Sequence, residues 1–149
     1  MPAIALMYLQ HVRLHPQVNF QKAYEDDAAY DLQAVLSEGG VILQPQTRIK
    51  ISTGIAVGFS PGYFGMICPR SGMAETYGIT VLNSPGVIDK YIGELKVILV
   101  NTSPAPYTIK HLDRIAQLVV LRKPTIRAIE VEELEPTERG TNGFGSTGR

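Results

Sequence analysis

Five short polar clusters interrupt the apolar runs of this 149-residue chain, and each carries side chains able to do chemistry. The last eleven residues, Arg139-Gly-Thr-Asn-Gly-Phe-Gly-Ser-Thr-Gly-Arg149, combine guanidinium groups, hydroxyls, glycines and a single aromatic ring. Glycines such as Gly145 let backbone N–H groups approach an anion, and Arg139, Ser146 and Thr147 are donors for phosphate oxygens. Phe144 offers a ring for stacking on a base. The same composition also suits a solvated C-terminal tail, so the tail by itself leaves both readings open. Pro69-Arg70-Ser71-Gly72 stands where an extended run enters a short helical stretch. Backbone N–H groups at a helix start favour an anion, and Arg70 and Ser71 add donors, although Ser71 would serve equally as a helix cap.

Residues 83–94 read as a hairpin whose exposed backbone groups can pair with a flat polar ring. Asp89 and Tyr91 lie near its tip or on the returning strand; the plain alternatives are a turn-forming carboxylate and a cross-strand packing ring. In Arg114-Ile115-Ala116-Gln117 an amide is inserted into a strand headed for the core, where it must find partners. Asp31, within Ala28-Ala-Tyr-Asp-Leu32, is by default a turn or edge carboxylate.

The elements that must position these groups are extended. Residues 47–53 alternate polar and apolar side chains, as a half-buried strand does, and Pro61-Gly62 marks a turn before the run at 63–68. Residues 79–82, 95–100 and 115–121 are short β-branched-rich runs bounded by turn formers, and only 72–77 looks helical. With ten prolines and fourteen glycines, the pattern predicts an all-β, jelly-roll-like sandwich over residues 1–136, followed by a flexible arm over 137–149.

A chain of this length buries roughly 70% of the surface it exposes when unfolded, so neither disulfide nor metal is needed to hold it. Fourteen basic and fourteen acidic residues balance, which argues against a nucleic-acid-binding surface and leaves any anion to a local site. The lone Cys68 fits a reducing compartment. No apolar run approaches the ~20 residues of a membrane span, and the N-terminus lacks a signal-peptide pattern, so a cytoplasmic protein is expected. His11, His15 and His111 are scattered and read as surface or packing residues.

The five clusters, in this order and with these spacings, resemble the trimeric dUTP pyrophosphatase (dUTPase) family over residues 27–148. The most specific pieces are Pro69-Arg-Ser-Gly72, Gly86-Val-Ile-Asp89, Arg114-Ile-Ala-Gln117 and Gly143-Phe-Gly-Ser-Thr-Gly148. The resemblance implies a jelly-roll homotrimer, with sites at subunit interfaces, that cleaves dUTP to dUMP and pyrophosphate. Such an activity lowers dUTP and supplies dUMP for thymidylate synthesis, in the cytoplasm of a cell or of a virus's host. It further implies Asp89 as the group that deprotonates the attacking water, and Arg70, Ser71, Gly72 and Gln117 as holders of the phosphate chain. Asn83 and the backbone of Gly86, Val87 and Ile88 would read uracil, with Tyr91 under the deoxyribose and Asp31 in support. Arg139, Phe144, Gly145, Ser146 and Thr147 would close over the ligand from a neighbouring subunit. Magnesium is implied on the triphosphate, with water and no direct protein ligand.

The chain departs from the family pattern in three places. Ala29 and Asn142 stand where glycine is usual. More consequentially, one residue, Lys90, separates Asp89 from Tyr91 where the family has two, and Ile92 replaces an arginine. A lost residue inside a strand would turn every later side chain to the other face, so a shorter loop that keeps Gly93-Glu94-Leu95 in register is expected. Weaker discrimination between dUTP and UTP follows as an expectation. Two rival readings differ in class. A dCTP deaminase of the same fold would need a glutamate where Ile98 stands. A nucleotide-binding regulatory trimer would keep the pocket and lose the chemistry.

Overall fold

The computed structural model describes residues 7–148; residues 1–6, which open the N-terminal stretch, and Arg149, which closes the tail, lie outside the described residues. The elements run β1 (Leu9–Arg13), β2 (Ala29–Gln33), β3 (Val41–Leu43), β4 (Arg48–Phe59), β5 (Tyr63–Cys68), α1 (Ser71–Tyr77), β6 (Ile79–Val81), β7 (Gly86–Ile88), β8 (Glu94–Asn101), β9 (Tyr107–Ile109) and β10 (Arg114–Arg122). They form two four-stranded antiparallel sheets, β1-β4-β8-β6 and β2-β10-β5-β7, with β3 and β9 as a separate pair. The all-β expectation holds.

Strand periodicity explains the packing. Leu95, Val97 and Leu99 on β8 point inward and are almost fully buried, while Lys96 between them faces out. Leu32, Ile67 and Leu118 meet them from the second sheet, so one core lies between the two. Fully burying each such side chain contributes about 1.5–3 kcal/mol. On β10, Ile115 and Ala116 are both buried, because the register against β2 shifts between Arg114 and Ala116. That shift turns Gln117 to the outer face, not into the core as its strand suggested.

Most expected elements appear with small changes in their bounds. The strand expected over 47–53 continues to Phe59 through a bulge at Gly54, whose N–H donates to Glu94 Oε1 at 3.0 Å. The hairpin expected over 83–94 is corrected: β6 joins β8 in the first sheet, whereas β7 pairs with β5 in the second. One flank of β5 is covered by β10, and the backbone groups of the other flank need partners; β7 supplies them. The segment therefore crosses between sheets. After Asp89 the chain turns with Lys90 at φ 57, and Leu95 faces the core, as keeping Gly93-Glu94-Leu95 in register requires. Ala29 sits in extended β2 and Asn142 has no positive φ, so neither position demands glycine.

Regular structure ends at Arg122, and residues 124–148 are exposed without strand or helix. No helix among the described residues is long and apolar enough to cross a membrane.

Candidate active site

The residues expected to act on a ligand line β5, with Arg70, Gln117 and Asp31 at its Cys68 end, β7 alongside it, and Asp89 and Tyr91 toward its Tyr63 end. At its Cys68 end, Asp31 of β2, Gln117 of β10 and Cys68 share one row across the outer face of the second sheet. Arg70 follows directly, with Nε 3.6 Å from Asp31 Oδ1, and Arg114 Nη1 approaches Asp31 Oδ2 at 3.4 Å. Arg70 Nη1 also donates to the Arg114 carbonyl at 3.1 Å, and Gln117 Nε2 donates to the Pro69 carbonyl at 2.8 Å. These contacts frame a recess of about 300 Å³ that Ser71, Gly72, Ala28 and Asp27 complete. Asp31 is thus an edge-strand carboxylate, one that aims two guanidinium groups. With Arg114 half-exposed, these pairs orient side chains more than they stabilise the fold.

Two carboxylates and two guanidinium groups line the recess, so what it offers is not net charge but donors. The helix start adds to them. Arg70 is the N-cap residue, in extended conformation, and no side chain caps α1. Ser71 therefore does not cap the helix, as its alternative reading held, and both its hydroxyl and the first N–H groups of α1 lack helical partners. Beside α1, the Tyr77 and Tyr107 rings lie 4.8 Å apart. Burial pushes the Tyr107 hydroxyl above its ordinary range, Asp113 and Tyr77 add to this, and Arg70 opposes it. That hydroxyl stays neutral at physiological pH.

β7 runs beside β5 from Ile67, opposite Gly86, toward the Tyr63 end at Gly65, opposite Ile88; it is the edge strand of its sheet, so one row of its backbone groups faces outward. Asn83 is exposed in the turn before it, Gly86 is buried, Val87 exposed and Ile88 half-buried. Asp89 leaves the strand and meets Lys123, whose Nζ lies 2.6 and 2.7 Å from its two carboxylate oxygens. Tyr91 folds back over Gly93 and donates from its hydroxyl to the Glu94 carbonyl at 3.3 Å. A Cβ at Gly93 would stand 2.4 Å from that hydroxyl oxygen, so a glycine there is what lets the ring lie down. A cleft of about 560 Å³ runs from Asp89 and Tyr91 to the turn at Pro61 and Gly62.

Asp89 and Tyr91 do not meet the Arg70 group within one chain. Register places Gly86 beside Ile67, near the first group, and Ile88 beside Gly65, about 10 Å of strand from Cys68, so Asp89 leaves β7 at the end away from Arg70. Nor does the arm join either end. Arg139, Gly145, Ser146 and Thr147 are exposed, Phe144 is fully so, and the backbone hydrogen bonds of 137–148 are local turns. The histidines are less scattered than expected. His15 and His111 lie 5.1 Å apart, and His111 accepts from the Leu36 N–H and reaches Gln17, while His11 packs on Phe20. They do pack, as read. No three His, Cys, Asp or Glu side chains converge as a metal cage among the described residues.

Sequence reasoning missed two contributors, Lys123 and the pairing role of Arg114. Lys123 lies 34 positions from its partner, and only the order of strands β10-β5-β7 brings them together. Arg114 was visible inside a motif, but its carboxylate partner was not.

A dUTPase family model matches residues 17–148. The chain is 46% identical over 131 residues to the deoxyuridine 5'-triphosphate nucleotidohydrolase of Tropheryma whipplei (strain Twist), covering 87% of this chain and 88% of that protein. It is 42% identical over 150 residues to the protein of the same name from Thermobifida fusca (strain YX), covering 99% and 82%. Among solved structures it resembles the dUTPase of Staphylococcus bacteriophage 80alpha with dUPNHPP, with TM-score 0.83 and 28% identity over 95% of this chain and 99% of that one. A variant dUTPase from phage phi11 of S. aureus, in which a structural Mg(II) ion is coordinated, gives TM-score 0.75 and 26% identity over 87% and 99%. Motifs, fold and relatives agree, and the chain belongs to the dUTPase family.

Proposed function

We propose that the protein hydrolyses dUTP to dUMP and pyrophosphate at sites shared between copies of the chain in a homotrimer. The observation that supports this is the separation of Asp89 and Tyr91, beyond the Ile88 end of β7, from Arg70, Ser71 and Gln117 at the Cys68 end of β5. In an assembled site, Arg70, Ser71, Gly72 and Gln117 of one copy hold the phosphate chain, and Asp31 aims Arg70. Asp89 of another copy takes a proton from water as the water attacks the α-phosphorus in line with the leaving pyrophosphate.

The outward edge of β7, at Gly86, Val87 and Ile88, reads uracil together with Asn83. Cytosine would present an amino donor where the site requires an acceptor. Tyr91 packs under the deoxyribose. The arm, residues 137–149, closes from a neighbouring copy, with Phe144 stacked on the base and Arg139, Gly145, Ser146 and Thr147 around the phosphates. The donor set fits a magnesium ion carried in by the triphosphate and completed by water, since Asp31 is already committed to two arginines. When bound, such an ion neutralises charge on the leaving group.

Pyrophosphate release with magnesium is the test, run on dUTP beside dCTP, dTTP and UTP. Release from dUTP far above dCTP and dTTP is expected, falling by about 10²–10⁴-fold in Asp89→Asn. Binding of dUTP without release would make the chain a nucleotide-responsive regulator instead, and ammonia from dCTP would make it a deaminase.

A further inference from the structure

Lys123 follows the last residue of β10, on the opposite flank of β5 from Asp89. Its N–H donates to the Gly62 carbonyl at 2.8 Å, which fixes its backbone at the start of β5. From there Nζ reaches both Asp89 oxygens almost equally, at 2.6 and 2.7 Å. The two side chains are 32% and 41% exposed, so the pair is partly shielded from water. A carboxylate has about four lone-pair sites. Two N–H bonds take one on each oxygen and leave capacity to accept from a water.

The connector that carries Asp89 is also the one place where the chain loses a residue and an arginine relative to its family. Ile92, in the arginine's position, is 83% exposed and braces nothing. Lys90 stands next to Asp89 but is exposed and has no side-chain contact to it among the described hydrogen bonds and ion pairs. The cation that braces this connector therefore comes from the residue after β10.

We infer that Lys123 is a positioning residue for the reaction, holding the Asp89 carboxylate in a fixed plane and bracing the shortened connector in place of the missing arginine. The inference rests on reading Asp89 as the group that activates water. It predicts a defect in turnover with binding and fold intact.

The test uses the full chain with Lys123→Met, Lys123→Arg and Asp89→Asn, alone and combined. Measured quantities are kcat and KM for dUTP, binding of the analogue dUpNHpp, and Tm. Lys123→Met is expected to lower kcat on the order of ten- to a hundred-fold, with KM, analogue affinity and Tm little changed. Lys123→Arg should recover most of the loss, and Lys123→Met should add nothing once Asp89 is Asn. Unchanged kcat in Lys123→Met, with Asp89→Asn inactive, would discard the role of Lys123 and leave Asp89 in place. A loss that tracks a fall in Tm and is not recovered by arginine would make Lys123 a structural residue and overturn the inference. Full activity in Asp89→Asn would remove the reading on which it rests.

Discussion

At the Cys68 end of β5 a carboxylate and two guanidinium groups from different segments brace one another, whereas at the Tyr63 end one lysine holds one carboxylate on a connector between sheets. The first region is a framed recess, anchored on three neighbouring strands and a helix start. The second sits on an edge strand of three residues and the loop that leaves it. The guanidinium and amide donors are thus set where three strands meet a helix start, and the carboxylate proposed for the chemistry is set on a connector beyond a short edge strand. The difference teaches that a chain can contain every part of a site and still not contain the site.

Mixing copies is the sharpest way to break that comparison. Arg70→Ala chains and Asp89→Asn chains, each expected to be nearly inactive alone, should regain activity when unfolded and refolded together. With random assembly about a quarter of the sites would pair an intact Arg70 with an intact Asp89, and pyrophosphate release should approach that fraction of wild type. No recovery would place both groups in one chain's own site. A chain ending at Glu138 should lose activity on the order of a hundred-fold while Tm stays within a few degrees, because the removed residues are exposed and bond only locally. Retained activity would remove the arm from the site.

The smallest effect concerns the sugar. The shortened connector predicts weaker discrimination between dUTP and UTP; comparable turnover of the two would support it, and strong rejection of UTP would show that Tyr91 works as well here as on a longer connector. Gly93→Ala should displace the Tyr91 ring, whose hydroxyl would stand 2.4 Å from the new methyl group. It should change the dUTP-to-UTP ratio of kcat/KM by a few-fold and stability by about 1 kcal/mol or less.

What could be read from the chain beforehand follows from where the signal is local. The run at 63–68 is extended between Pro61-Gly62 and Pro69, and β5 has those bounds. The helix at 72–77 begins one residue early because Ser71 adopts helical geometry and Arg70 takes the cap position. Three-residue strands such as β3, β7 and β9 are too short to show a period, and what makes them strands is a partner far along the chain. The sheet to which β7 belongs was misread for the same reason, since nothing local distinguishes pairing with β8 from pairing with β5. Asp31, Arg70, Asp89 and Gln117 were legible through their motifs. Their division between two ends of one strand, and the lysine beside Asp89, depend on strand order and had no local trace.

The open edge of β7 has one more consequence. Unpaired N–H and C=O groups that suit a planar base suit another strand equally well, so the same edge is a potential seed for self-association. The chain limits that hazard by size and by punctuation. Only three residues are extended, Pro85 precedes them without an N–H to donate, and the charges of Asp89 and Lys90 follow at once. An edge long enough to template a second strand would be a liability in a concentrated cell; one this short and this bounded has room for little more than a small ring.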